Sequence, residues 1–555
     1  MPRMTRLVLL ASFLAVACTS EIRANTLNAA SCFPTDVQAA INSASEGDTV
    51  VIPSGVCTWT GAVTIAGKGV TVLGAGSARV VAYAALASAL AIGTGSKSWA
   101  ISGFSPGFSG SVFATGATIT AFELGNHTNF MTGTVTSFTG GTLTLNVLSS
   151  NGTCGNQNQS NCKRWIFHNN PTSATVIQDG TSCSSVTPLF TITEDSSVHT
   201  SIGNIQFVPG TCNQHVFKLQ YASGGQAILI HDIWISESSS VSDPPDGDPT
   251  MIISNSDRGV VWNCSFDGSP FNISTLGAVG IKDATNVTGA WTTQSFWGTL
   301  DTTGQNNFYV ETSDFHALGF ATSVDDNGRL VARYNLYDSS GMMGTHGADT
   351  SFFGQRYFES YNNTAVFEGY SDGTTFNFNQ WYFIRGGSFV IHDNTIPSIV
   401  SQDFGTKSSV RFIIENLQRN SGPDPCWGAG FSAAGQFYPA PRQPGFGRVT
   451  GNGTANYPPL GVNNSHTDSV TYVGDSEPAY IWANNTVPLP NVNTSDYGGN
   501  ACTNPDSSTI YIVLNRDFFN GNTPKPAYSP FTYPHPLVTN TPTANPPTAP
   551  VATAH

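Results

Sequence analysis

Charged side chains are only 10% of this 555-residue chain, and Lys+Arg number 22. Between residues 311 and 392 several of them recur beside polar aromatics. Glu311, Arg333, Tyr361 and His392 are spaced along strand-like runs, and "GTHGADTSFFGQRYFES" carries His346, Asp349, Arg356 and Glu359. Asp325 and Asp326 lie in "VDDNGR", and Arg385 in "FIRGG". These types suit three chemistries. An arginine fork matches a carboxylate or sulfate on a sugar. A histidine or a carboxylate can move a proton. Glu311 and Glu359 offer oxygens to Ca²⁺, although no ligand cluster is visible.

The elements that must position them repeat. Short strand-like runs include "WAISGF", "SIGNIQFV", "AILIHDIWI", "GVVWNCSF", "NFYVETSDF", "RLVARYNLY" and "FVIHDNTI". A small polar residue recurs within them at Cys264, Ser313, Asn335, Asn363 and Asn394, the last steps being 22, 28 and 31 residues. That is one coil of a solenoid plus loop insertions. Asn at a repeated turn can pass amide hydrogen bonds along the stack, while alternate apolar residues fill the interior. Two residues before the series stand Trp262, Glu311, Arg333, Tyr361 and His392. On neighbouring rungs they form one column. If it faces solvent it is a polar strip suited to a sugar chain; the plainer reading is a cross-rung Glu311–Arg333 salt bridge. For Asp325-Asp326 the plainer reading is a solvated turn before Gly328.

Residues 1–24 read as an export signal, with Arg3 and Arg6 before an apolar run too short for a membrane span and cleavage after Ala24. A second reading anchors lipid on Cys18. The mature chain is then secreted or periplasmic. Residues 25–535 form one domain. It opens with a capping helix, Thr35 to Ser45, whose start Asp36 can cap. Residues 108–170 form an antiparallel β insertion, and 421–535 a C-terminal cap region. Residues 536–555 are a disordered Pro/Thr/Ala-rich tail.

Ten cysteines in an exported chain suggest disulfides. Sequence proximity pairs Cys32–Cys57, Cys154–Cys162, Cys183–Cys212 and Cys426–Cys502, and leaves Cys264 as a buried thiol. Cleavage removes three arginines and one glutamate, taking the formal charge from −14 to −16. That argues against nucleic acid as partner. No zinc, nucleotide or Gly-x-Ser-x-Gly signature is present. A monomer is expected.

The repeat, together with "VQAAINSASEGDTVVIPSG" as a helix-capped first coil, resembles the right-handed parallel β-helix of the pectate-lyase superfamily over residues 32 to 420. The resemblance implies an all-β, single-stranded right-handed solenoid. Within it "YVETSDF", "VARYNLYD" and "GTHGAD" are similar to a stretch of the alginate lyase and chondroitinase B group. This implies β-elimination on a uronate-containing polysaccharide. The segment departs from that pattern: it has no lysine, and Thr345 stands where the group's arginine would. Arg333 or His346 then takes the base's place. Arg356 joins the catalytic set, and Glu311, Glu359, Tyr361, Arg385 and His392 hold substrate. The order "DD", "THG", "IRG" is also similar to polygalacturonases, implying hydrolysis through Asp325, Asp326 or Asp349, with carboxylates about 6.5–9.5 Å apart for inversion. A third reading is a non-catalytic carbohydrate-binding or adhesin solenoid.

Overall fold

The computed structural model describes residues 24–154, 162–171, 173–181, 187–194, 196–210, 215–221, 226–236, 250–255, 258–268, 277–282, 303–325, 328–344, 355–367, 380–384, 387–396, 411–417, 445–446, 455–456, 473–474, 476–485, 492–497 and 514–538. Three parallel sheets wind into a right-handed β-helix. Among the described residues sheet I has 12 strands, sheet II has 8 and sheet III has 10. One coil runs Phe308–Glu311 in sheet I, Asp314–His316 in sheet II and Phe320–Asp325 in sheet III. The next repeats it as Arg329–Arg333, Leu336–Asp338 and Gly341–Gly344.

The turn from sheet I to sheet II explains the polar series. Its first residue sits in the left-handed region at Asn263, Thr312, Tyr334, Asn362, Asp393 and Ala483, with φ between 49° and 57°. That tight corner turns the next side chain inward along the stack. The backbone N–H of Ser313 donates to Asn335 Oδ1 (2.9 Å), Asn335 N–H to Asn363 Oδ1 (2.9 Å) and Asn363 N–H to Asn394 Oδ1 (3.0 Å). Asn394 N–H continues to Asn484 Oδ1 at 3.0 Å. Each amide Nδ2 also reaches a strand carbonyl: Asn335 to Val310 O, Asn363 to Ala332 O and Asn394 to Ser360 O, all at 2.9 Å. Buried polar turns therefore satisfy themselves rung by rung. The expected ladder is present and runs one rung further than the sequence pattern suggested. Cys264 begins it as a buried free thiol.

Inside the coil, Phe266, Phe315 and Tyr337 stack with centroids 5.1 Å apart at each step. Parallel register sets identical positions above one another, so apolar side chains form ladders. The N-terminal end is closed by helix Pro34–Ser43, which buries Val37 and Ile41. It starts and ends earlier than expected, and Asp36 does not cap it: Phe33 holds the cap position and Pro34 supplies the first turn. Asp36 instead accepts from Ser31 Oγ (2.5 Å). Lys68 Nζ closes the other end, donating to the carbonyls of Ile41 (2.8 Å) and Ala44 (2.7 Å).

A 7-stranded antiparallel sheet leaves the solenoid after Gly76 and packs on sheet II. It spans Val80–Ala85 to Arg164–Asn169, so the insertion begins well before residue 108. "WAISGF", expected as a solenoid run, belongs to it. Gly95–Ala100 pairs antiparallel with Thr142–Asn151, and Trp99 is buried in the insertion's own core. The seam with sheet II is charged as well as apolar. Arg164 donates to Asp338, and His316 lies between Asp314 (2.8 Å) and Asp338 (3.2 Å).

Disulfides Cys32–Cys57 and Cys154–Cys162 are formed. Cys183–Cys212, Cys426–Cys502 and Cys18 lie outside the described residues. At the far end Ala479–Trp482 and Phe518–Asn520 add two rungs to sheet I. Residues 521–538 then run back down the outer face of that sheet. Residues 536–538, expected in the tail, belong to this run: Leu537 and Val538 pack against buried residues of the face, and residues 539–555 lie outside the described residues.

Candidate functional site

The expected column exists. Strand registers align Trp262 with Glu311, Glu311 with Arg333, Arg333 with Tyr361, and Tyr361 with His392. It is not an open strip. Glu311 and Arg333 are both 0% exposed, because residues 525–538 lie over them as a strap. Arg333 Nε donates to Glu311 Oε2 (2.8 Å) and Nη1 to the Tyr361 hydroxyl (2.7 Å). Nη1 and Nη2 also donate to the strap carbonyls of Phe531 and Thr532, each at 2.8 Å. The remaining Glu311 oxygen accepts from His535 N–H (2.9 Å). Burial works against the Arg333 charge, but Glu311 and Tyr361 more than offset it, so the guanidinium is held more firmly protonated than usual. The base role expected for Arg333 does not fit this arrangement. Its N–H groups are committed to the latch, and it would have to give up a proton from it.

Other expected residues are also tied into the wall. Arg356 makes a bidentate pair with Glu477, at 2.6 and 3.0 Å. Glu359 accepts from the hydroxyls of Tyr357 and Tyr528, both at 2.7 Å, and burial pushes its carboxyl up. His392 stacks between Tyr361 (4.9 Å) and Trp482 (4.5 Å) and contacts the Tyr528 hydroxyl at 3.1 Å. Both Glu311 and Glu359 have their oxygens engaged, and no group of His, Cys, Asp or Glu suited to a metal occurs among the described residues. The Ca²⁺ expected on these two carboxylates would displace those partners. Asp325 ends the strand Phe320–Asp325. His346, Asp349, Asp326 and Arg385 lie outside the described residues.

Beside residues 531–537 of the strap lies a cleft of ≈ 520 Å³ on the same face. The strap forms one wall with Phe531 and His535. The solenoid forms the others with His199, Arg258, Asn307 and Tyr309. Among the described residues no Asp, Glu or Lys lines it. Arg258 Nε donates to Asn306 Oδ1 (3.0 Å), which steadies the guanidinium at the wall. Tyr309 donates to Gly304 O (2.8 Å), and the neighbouring Asn307 amide, 2% exposed, is left without a well-formed hydrogen bond.

The two imidazoles have opposite polarity. His199 Nδ1 faces the carbonyl of Ala227 (3.0 Å), which can only accept, so Nδ1 carries the proton and Nε2 the lone pair. His535 Nδ1 accepts from Leu537 N–H (3.2 Å), so in the neutral ring Nε2 carries the proton. Burial, with Arg333 and His199 nearby, lowers the His535 pKa to about 4 and keeps that ring neutral.

Sequence reasoning missed His199, Arg258 and the whole strap. His199 precedes the strand Thr200–Gly203 and Arg258 precedes Gly259–Trp262, outside the column two before the small polar residues. The one available signal was aromatic: "PAYSPFTYPHPL" interleaves Tyr, Phe and His with prolines.

No protein family and no curated protein matches the chain. Solved structures similar to it include the Gp54 tailspike of Acinetobacter baumannii bacteriophage AP22 in complex with A. baumannii capsular saccharide. That match has 11% identity and a TM-score of 0.23, over 86% of this chain and 78% of that one. A glycoside hydrolase matches at 8% identity and TM-score 0.23, over 65% of this chain and 86% of that one. The tailspike protein gp49 from Pseudomonas phage LKA1 matches at 12% identity and TM-score 0.20, over 69% and 68%. With scores this low the superpositions identify no shared site, and the β-helix stands on its own strand registers.

Proposed function

We propose that this chain is an exported, monomeric, polysaccharide-acting enzyme that cleaves a uronate-containing glycan by β-elimination at the cleft beside the strap. The composition of the cleft carries this reading. Among the described residues that line it are a guanidinium, two imidazoles, side-chain amides and aromatic rings, and no carboxylate. Aromatic faces and amides suit a sugar. Elimination requires the uronate acid group to be neutralised and a base to stand near the α-proton. Hydrolysis requires a pair of carboxylates flanking the bond, and none lines this cleft among the described residues. Export agrees with two disulfides, which persist in oxidising compartments.

The test is incubation of the purified chain with alginate, polygalacturonate, chondroitin sulfate and a neutral glycan. Ultraviolet absorbance from an unsaturated uronate is expected with one of the acidic polymers. New reducing ends without that absorbance mean hydrolysis, and binding without either means a non-catalytic solenoid.

A further inference from the structure

We infer that Ser201, His231 and Asp232 form a serine-hydrolase triad on the outer face of sheet I, and that it removes a short acyl group from a sugar hydroxyl. This activity is separate from the elimination proposed above and goes beyond it. Two contacts carry the inference. Asp232 Oδ2 lies 2.8 Å from His231 Nδ1, and Ser201 Oγ lies 3.1 Å from His231 Nε2. A carboxylate only accepts, so it holds the ring proton on Nδ1 and leaves the Nε2 lone pair facing the hydroxyl. Nucleophile, base and orienting acid stand in the order that activates a serine.

The solenoid explains why no linear motif marks the set. Register places Ser201 beside Leu229 and Gly203 beside His231 on adjacent rungs, so the hydroxyl and the imidazole are diagonal neighbours. The ring is fixed on both faces. It stacks on Trp262 of the next rung with centroids 4.6 Å apart. On the other side a Cβ at position 203 would collide with its Cε1, Nδ1 and Nε2, so Gly203 leaves the room it needs. Asp232 occupies the left-handed corner between sheets at φ 51°. Asn263, at the same corner of the next rung, donates to its other oxygen (3.0 Å), and Arg79 Nη1 stands 3.8 Å from that oxygen. Burial raises the Asp232 pKa, but His231, Arg79 and Asn263 more than offset it, so the carboxylate stays ionised.

The set is reachable from solvent. The His231 and Asp232 side chains are 16% and 27% exposed, and Ser201 is partly exposed. Residues 199, 201 and 203 share the outer side of their strand, so Ser201 follows His199, which lines the cleft. A glycan seated in the cleft therefore brings its neighbouring substituents towards the hydroxyl. Leu229, on the rung beside Ser201, packs with Leu537 and Val538 and offers an apolar wall to an acyl chain.

The chemistry balances with water as co-reactant. His231 Nε2 takes the Ser201 proton as Oγ bonds to the ester carbonyl carbon. The bond from that carbon to the sugar oxygen breaks, and the oxygen leaves with the proton from the imidazolium. A water then attacks the acyl-serine while His231 takes its proton. The acyl–Oγ bond breaks, Oγ recovers the proton, and a carboxylic acid leaves.

The experiment incubates the full chain with p-nitrophenyl acetate, acetylated xylan and acetylated pectin, and measures released acetate. Wild type should release acetate from the small ester and from one of the polymers. Phenylmethylsulfonyl fluoride should stop this by adding one sulfonyl group to the peptide that holds Ser201. Ser201→Ala should lower kcat about 10³-fold or more while melting within a few degrees of wild type, and Asp232→Asn should lower it about 10²-fold or more. Wild type that releases no acetate from any of these esters, sulfonylation away from Ser201, or Ser201→Ala with wild-type turnover overturns the triad. Acetate from the small ester alone keeps the triad and overturns the sugar ester as its substrate. Unsaturated uronate without acetate release leaves the elimination standing and overturns this inference, and acetate without unsaturated uronate does the reverse.

Discussion

Arg333 and Glu311 face one another on adjacent rungs, 2.8 Å apart, and each also holds a main-chain group of a strap about 200 residues further along the chain. The pair looks like the charged centre of an active site in sequence. In three dimensions it is a latch. Its polar atoms face committed partners, and a buried ion pair with a complete shell serves position rather than turnover.

Arg333→Ala should therefore be a stability variant. It leaves Glu311 buried without its charge partner and strips donors from Phe531 O and Thr532 O. The expected loss is about 3–5 kcal/mol in denaturant unfolding. Replacing both residues by Met should recover only part of it, because the strap carbonyls stay unpaired. A variant that keeps wild-type stability but loses turnover would restore Arg333 as a catalytic group.

The asparagine ladder makes a second prediction. Asn363→Ala removes the acceptor of Asn335 N–H and the donor to Ala332 O. Two buried main-chain groups are orphaned, at about 1–3 kcal/mol each. Cys264, at the start of the ladder, has a weak S–H donor that contacts Trp262 O (3.1 Å) and Ile230 O (3.8 Å), contacts a serine hydroxyl can replace. Cys264→Ser should cost within about 1 kcal/mol. Equal urea midpoints for Asn363→Ala and wild type would show that the ladder contributes nothing.

What could be read in the sequence follows from these contacts. The solenoid and its ladder were legible because parallel stacking forces one turn chemistry to recur at Ser313, Asn335, Asn363 and Asn394. The column of Glu311, Arg333, Tyr361 and His392 was legible for the same reason. Whether it met solvent was not. The groups that cover it, such as Tyr528 and His535, lie 169 and 224 residues from Glu359 and Glu311 in a proline-rich stretch with no strand period. The cleft drew on His199 and Arg258, which share the rung position just before Thr200 and Gly259, but the residue type there changes from rung to rung and left no pattern. The insertion's start was misplaced because Gly95–Ala100 alternates like any short rung, and only antiparallel pairing with Thr142–Asn151 distinguishes it.

The seam between insertion and sheet II should set the pH range of stability. Burial alone would lower the His316 pKa, but Asp314 and Asp338, with Asp267 nearby, raise it to about 10. Its folded pKa exceeds the unfolded value of about 6.5. The stability it contributes is complete below that value and is lost as pH rises through about 10. His127 runs the other way. Burial, with His168 and His316 close by, outweighs Asp267 and lowers its pKa to about 4. The neutral form is favoured on folding, so stability falls as pH drops from about 6.5 towards 4. Melting temperatures from pH 4 to 11 should show a plateau between these limbs. His127→Asn should flatten the acid limb and His316→Gln the alkaline one. Limbs unchanged in both variants would place the titrating groups elsewhere.

Deleting residues 521–555 should expose rather than activate the face. Phe531, Leu537 and Val538 pack against Leu229, Val260, Tyr309 and Tyr361. Val260 and Tyr309 are nearly inaccessible beneath that packing. Without the strap an apolar patch bordered by the unlatched Glu311–Arg333 pair meets water, a surface that favours association. The truncated chain should bind a hydrophobic dye, melt lower and elute as larger species than the full chain. It should also lose acidic-oligosaccharide binding, because Phe531 and His535 form a wall of the cleft. A monomeric truncation that binds alginate or polygalacturonate oligomers as tightly as the full chain would show that the strap takes no part in the site.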